Sequence, residues 1–235
     1  MINIVCLKWG TKYGPEYVNK LYASVKRNTT IDFKFHCFTE DVTNLNKEII
    51  THPLPFNTLE GWWNKLYLFS NDLPISIGEK IFFIDLDTLI VSNIDELLTV
   101  SCDPIVVLRD FYTGIAASVI GTDNVGSGLM LWTHGHYSII WDTFIQDPDA
   151  AMKEIHPHGD QKWVQKHAIQ RQYWQDISLD KVVSFKVHCN AGLPDSASIV
   201  CYHGRPSIPE SYSQRNIVWK YDIQPQVWVK DHWKD

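Results

Sequence analysis

One stretch of the chain constrains everything around it: Ile81-Phe82-Phe83-Ile84, four consecutive large apolar residues, run directly into Asp85-Leu86-Asp87. A strand with one wet face alternates apolar and polar residues, whereas an unbroken apolar run belongs to a strand covered on both faces. Such a strand needs neighbouring strands on either side and helices above and below, so the chain reads as α/β. The two carboxylates end the strand, and strand ends are where open α/β sheets bind ligands.

The flanking sequence supplies the other elements. Ile2 to Leu7 reads as a strand, Pro15 to Arg27 as a helix, and Phe33 to Phe38 as a strand, followed by an extended stretch from Ile49 to Pro55. Trp62 to Leu73 has helical spacing with Trp62, Leu66 and Phe69 turned inward, and Pro104 to Leu108 is a second buried strand. Gly126-Ser127-Gly128 leads into the apolar Leu129 to Trp132, and Tyr137 to Phe144 and Gly159 to Ala168 read as helices. The last thirty residues look irregular. With 235 residues, no repeat and no linker, the chain is read as one domain with a mostly parallel central sheet.

Composition removes several functions. Acidic residues outnumber basic ones 27 to 21, for a net charge of −6, which disfavours binding to a nucleic-acid backbone. No segment reaches the roughly 20 apolar residues of a membrane span, and the N-terminus lacks the basic and apolar regions of a signal peptide. Five scattered cysteines without a C-x-x-C pair suggest neither a disulfide framework nor a thiolate zinc site. A soluble, cytoplasmic protein with reduced thiols is expected. Ten tryptophans are a surplus of flat rigid side chains of the kind that line sugar- or base-binding sites, although cores use them too.

Asp85 and Asp87, separated by one residue at the end of a buried strand, suit an oxygen-ligated divalent cation. The ion relieves the repulsion between the acids while leaving coordination positions for water and a diphosphate. The plain alternative is an acidic turn.

The segment Lys80 to Leu97, built around Ile81 to Asp87, resembles the donor-site segment of glycogenin-like glycosyltransferases. Four further likenesses follow the family's order: Asn64-Lys65-Leu66, Gly126-Ser127-Gly128, Gly159-Asp160-Gln161 and His203-Gly204. The resemblance spans roughly residues 1 to 206 and implies a GT-A fold, a Rossmann-like single domain that binds a UDP-sugar and Mn²⁺ or Mg²⁺ and transfers the sugar with retention of configuration. It implies metal ligation by Asp85, Asp87 and His203, and donor contacts from Trp9, Tyr13, Lys65, Leu86, Ser127, Gly128, Gly204 and Arg205. Tyr13 matches the position that stacks on uracil. Asp160 and Gln161 fall at the catalytic position, where Asp160 steadies positive charge on the sugar or orients donor hydroxyls. The family places a lysine after the glycine that follows its histidine; here His203 directly precedes Gly204, and Arg205 takes the lysine's place because guanidinium grips phosphate bidentately.

Other readings stay open at this point. Ile81 to Asp87 also resembles the first motif of haloacid-dehalogenase-type phosphatases, although Leu89 stands where that family has Thr or Val. A nucleotidyltransferase and a non-catalytic nucleotide- or sugar-binding module share the same carboxylate logic. His134-Gly135-His136 and His156-Pro157-His158 are read as surface histidines, since neither has an acid at helical spacing. The region Asp110 to Val125 is the expected acceptor-facing loop, with the acceptor unidentified. The aromatic tail from Trp219 to Trp233 is read as packing on its own domain or on a second copy in a homo-oligomer.

Overall fold

The computed structural model describes residues 1–55, 59–111, 123–178, 180–218 and 221–235. Its centre is a seven-stranded sheet in the order β3-β2-β1-β4-β7-β6-β8. These strands are β1 (Ile2–Lys8), β2 (Phe33–Thr39), β3 (Ile50–His52), β4 (Lys80–Ile84), β6 (Ile105–Arg109), β7 (Val125–Thr133) and β8 (Arg171–Tyr173); β5 (Thr88–Ile90) lies outside the sheet. All neighbours pair in parallel except β7, which runs antiparallel to both β4 and β6. The apolar run Ile81 to Ile84 is therefore interior, between β1 and β7, as its composition demands.

Side-chain alternation along β4 feeds two cores. Phe82 and Ile84 join one apolar cluster with α1 (Pro15–Asn28), while Ile81 and Phe83 join a second with Leu66, Trp132 and Phe144 on the other face. Tyr17, Val18, Leu21, Tyr22 and Val25 form the buried stripe of α1, which begins with Pro15 at its first turn. All five cysteines are free and buried. No helix among the described residues is long and apolar enough to cross a membrane.

A second, smaller sheet positions the functional region. Here β9 (Val182–Ser184) pairs in parallel with β10 (Ile199–Cys201), which pairs antiparallel with β5. Because β5 follows Asp87 directly, the register Cys201↔Thr88 and the bond from Tyr202 N–H to the Asp87 carbonyl (2.9 Å) bring residues 202–204 beside the two acids. Pairing across more than a hundred residues of chain leaves no local signal, and short strands β5, β9 and β10 escape periodicity.

Several expectations need correction. The segment read as an α-helix from Trp62 to Leu73 is a 3-10 helix, Gly61–Phe69. Trp62 is 57% exposed and Trp63 turns in to stack on Phe144 at 5.7 Å, whereas Lys65 and Leu68, in the same 3-10 row as Trp62, are buried. His134, read as a surface residue, is fully buried with Nε2 2.9 Å from the Ser70 carbonyl; His136, His156 and His158 are exposed as expected. The tail is ordered: a helix at Ile208–Ser213 with a complete capping box, a hairpin of β11 (Asn216–Val218) and β12 (Tyr221–Ile223), and a helix at Val229–His232. It packs on its own chain, with Trp233 edge-on to Tyr17 at 4.8 Å and Arg27 donating to the carbonyls of His232 and Lys234. Most of the expected acceptor-facing loop, residues 112–122, lies outside the described residues.

Phe82 is fully buried and meets Trp174 edge-on at 5.8 Å. Substituting Phe82→Ala is expected to cost about 3–5 kcal/mol, read as a lower urea midpoint at unchanged m-value.

Candidate active site

The end of β4 is shaped by what stands opposite it. Asp85 N–H donates to the Gly128 carbonyl at 2.9 Å, and a Cβ on residue 128 would sit 3.2 Å from Asp85 Oδ2. Glycine at 128 thus lets the carboxylate rest against the β7 backbone.

Lys65 is the buried cation of the site. It is 6% exposed, and its Nζ lies 3.1 Å from Asp85 Oδ1, 3.5 Å from Asp160 Oδ2, and within 3.3 Å of both the carbonyl and the hydroxyl of Ser127. Burial alone would lower its pKa, but the carboxylates of Asp160 and Asp85 outweigh burial and hold it above the ordinary lysine value. Asp160, at the first turn of the helix Asp160–His167, is 5% exposed, and among the described residues its Oδ2 has the Lys65 ion pair but no hydrogen bond.

Lys65 and Lys12 both lower the acid pair of Asp85 and Asp87, but burial outweighs them. The Asp85 carboxyl is raised by burial, with the charge of Asp160 adding to it against Lys65. Asp87 is pushed up to about 7 by burial and by Asp85, and its Oδ2 accepts a 3.0 Å bond from the Tyr13 hydroxyl, itself raised by burial and by Asp87. Two half-buried carboxylates facing one cleft, both above the usual carboxylate range, are a donor pair that fits an oxygen-ligated divalent cation.

The cleft has two limbs. One, of about 390 Å³, is lined by Trp62, Lys65, Asp85, Ser127, Asp160 and Gln161 among others. The other, of about 380 Å³, is lined by Lys12, Tyr13, Tyr17, Arg205, Ser207 and Glu210 among others. Asp87 and Gly204 line both, so the limbs meet at the second acid. Tyr13, Asp85 and Asp87 face a common cleft as expected from the strand-end argument.

His203 lines the first limb, but its Nε2 is 2.6 Å from Ser184 Oγ and its ring stacks on Phe111 at 5.6 Å. Lys186 Nζ donates to the His203 carbonyl at 2.5 Å. Burial, with the charges of Lys186 and His188, lowers the imidazole to about 3, so it is neutral at ordinary pH, the form that ligates metals. Among the described residues no three His, Cys, Asp or Glu side chains are gathered closely enough to hold a metal ion. The structure therefore brings His203 to the same cleft as Asp85 and Asp87, with its Nε2 held by Ser184.

Lys65, Ser127, Gly128, Asp160, Gln161, Gly204 and Arg205 all line one limb or the other. Two expected donor residues do not. Leu86 is 2% exposed and belongs to the apolar core, because the residue between two cleft-facing acids on an extended backbone points the other way. Trp9 is 38% exposed and lines neither limb. Sequence reasoning also missed Ser184, Lys186 and Phe111, which hold His203; none carries a motif. Trp62 was visible but assigned to the wrong face.

By sequence the chain matches no protein-family model and no curated protein. By structure it is similar to the galactosyltransferase LgtC in complex with donor and acceptor sugar analogues, with a TM-score of 0.62 over 88% of both chains at 13% identity. It is similar also to the glycosyltransferase GlyE in Streptococcus pneumoniae TIGR4, with a TM-score of 0.63 at 12% identity, covering 88% of this chain and 56% of that one. A third likeness is to the bifunctional WbbM, with a TM-score of 0.56 at 10% identity, over 88% of this chain and 46% of that one. The fold is that of the GT-A glycosyltransferases.

Lys65→Met keeps an apolar stem but removes the ammonium, which also stands 5.1 Å over the Phe83 ring. The loss is expected to be about 2–3 kcal/mol at pH 7, below the roughly 3–5 kcal/mol of a fully enclosed pair because Asp85 reaches the cleft. The ammonium is raised, so its stabilisation persists throughout the neutral range and would be lost only at strongly alkaline pH. On the acid side the deficit should shrink as Asp85 takes up a proton, which urea titrations of wild type and variant between pH 4 and 8 will read.

Proposed function

We propose that this chain is a metal-dependent retaining glycosyltransferase that moves a hexose from a UDP-sugar to an acceptor, with Mn²⁺ or Mg²⁺ as cofactor. The observation that carries the reading is the pair of cleft limbs meeting at Asp87, with Tyr13 in one and Lys65 and Asp160 in the other. That layout matches a molecule with an aromatic base at one end, a diphosphate in the middle and a sugar at the far end. The GT-A fold supports it, and so do the five likenesses to glycogenin-like enzymes, the branch we favour.

In this reading Tyr13 meets the uracil and fixes Asp87 through its hydroxyl. Asp85 and Asp87 hold the cation, with His203 as third ligand once its Nε2 leaves Ser184. The metal, when bound, supplies Lewis-acid stabilisation of the negative charge that gathers on the departing diphosphate. Arg205, in the nucleotide limb, faces the phosphates, and Lys65 and Ser127 border the sugar. As the anomeric C–O bond breaks, its electron pair leaves with the diphosphate and positive charge develops on the sugar. Asp160, buried and paired with Lys65, stabilises that charge in this reading, and Gln161 follows it on the same helix. The acceptor oxygen then forms the new bond on the face the diphosphate leaves, and its proton passes to the departing phosphate oxygen. The buried reduced thiols support a cytoplasmic location.

Calorimetry with uridine diphosphate should give Mn²⁺-dependent binding in the wild type and none in Asp87→Ala. His203→Ala should keep the fold and weaken Mn²⁺ binding by roughly tenfold or more. Metal affinity should fall as the pH is lowered through about 7, where Asp87 takes up its proton, because His203 stays neutral there. Binding of another nucleotide in place of uridine diphosphate would overturn the donor, and rapid hydrolysis of a phosphate monoester would favour the phosphatase reading.

A further inference from the structure

Trp62 is unusual among the tryptophans of this fold. It is 57% exposed, while its neighbour Trp63 is packed against Phe144, and it lines the sugar limb of the cleft and not the nucleotide limb. Its indole rests on the backbone of Gly159. A Cβ there would stand 2.6 Å from Nε1 and 2.9 Å from both Cδ1 and Cε2, contacts no side chain tolerates. Gly159 has an ordinary φ of −98°, so glycine is needed at this position for the close approach of the ring and not for backbone conformation. The chain thus gives up a side chain at the start of a helix in order to seat an exposed aromatic ring at the mouth of a polar cleft.

We infer that Trp62 is the platform on which the acceptor stacks, and that the acceptor presents a saccharide ring to it. This deepens the glycosyltransferase reading and rests on it. Three features select that occupant. A saccharide has one face of C–H groups, which an indole covers, and an edge of hydroxyls, which need in-plane polar partners. Those partners adjoin the ring here, since Asp160 and Gln161 follow Gly159 directly and line the same limb. The polarity of the cleft places Trp62 beyond the sugar end of the donor, because Tyr13 and Arg205 line the opposite limb. A lipid chain would require an apolar tunnel, whereas this limb carries carboxylates at its floor.

The test uses the full-length protein with uridine diphosphate and Mn²⁺, applied to an array of neutral oligosaccharides. Wild type is expected to bind a subset of glycans. Trp62→Ala should lose about tenfold in affinity for that subset, whereas Trp62→Phe, which keeps a ring, should lose much less. Gly159→Ala, which displaces the indole, should resemble Trp62→Ala. Uridine diphosphate affinity of each variant is measured in parallel, and a drop there as large as the drop in glycan binding would place Trp62 against the donor and overturn the inference. Absence of glycan binding, or glycan binding indifferent to Trp62, would also overturn it. If nucleotide-sugar hydrolysis is observed alongside Trp62-independent glycan binding, the platform falls and the glycosyltransferase reading stands. If no nucleotide binds but glycan binding depends on Trp62, the platform stands and the enzymatic reading falls.

Discussion

A single ammonium group organises the functional end of this protein. Lys65 Nζ sits between Asp85 just past β4, Asp160 at the start of a helix and Ser127 on β7, tying three segments together. Without it, buried carboxylates from separate elements would face one another with no compensating charge, an arrangement that costs several kcal/mol in a low-dielectric setting. The arrangement is also incomplete. Asp87 is raised to about 7 by burial and by Asp85 despite Lys12, Lys65 and the bond from Tyr13, so positive charge brought to the cleft would favour its ionised form. Structure is stabilised on one side of the acid pair, and ligand chemistry is left open on the other.

The architecture around this point divides the labour. The large sheet supplies rigidity: β4 is fixed by β1 and β7, and its end is set by the contact of Asp85 with Gly128. The small sheet supplies the remote residues, because pairing of β10 with β5 carries Tyr202, His203 and Gly204 to the acids. Ser184 then anchors the imidazole and Lys186 the backbone behind it. Residues on strands and buried helices are held closely, while Gly204, at φ +79°, and the exposed Arg205 form the more open rim.

Much of this was legible in the linear chain wherever a local physical rule operated. Four large apolar residues ending in two acids read as a doubly covered strand, so β4, its interior place and the α/β class followed from Ile81 to Ile84. Asp85 and Asp87 were legible because charge cannot continue such a strand, and the stripe of α1 because its period is close to 3.6. The short strands β5, β9 and β10, three residues each, were not legible, being too brief for a period and stabilised by partners distant in sequence. Leu66 and Phe69 were legible as inward-facing, but Trp62, read with them, lines the cleft and is exposed, in a segment that is a 3-10 helix.

The sequence by itself determined the elements whose stability comes from their own composition: the central strand, its acidic end, the amphipathic first helix, and the glycines that permit close backbone approach. Only the tertiary structure decided which of those residues meet. Lys65 reads as a solvated lysine until the fold encloses it with Asp85 and Asp160, and Leu86 reads as a site residue until strand alternation turns it into the core. Trp62 becomes a cleft residue only because Gly159, nearly a hundred positions away, leaves room for its ring. The reason is common to all three: burial, charge pairing and contact are properties of surfaces brought together across the chain, and the energies that fix them are absent until that approach occurs.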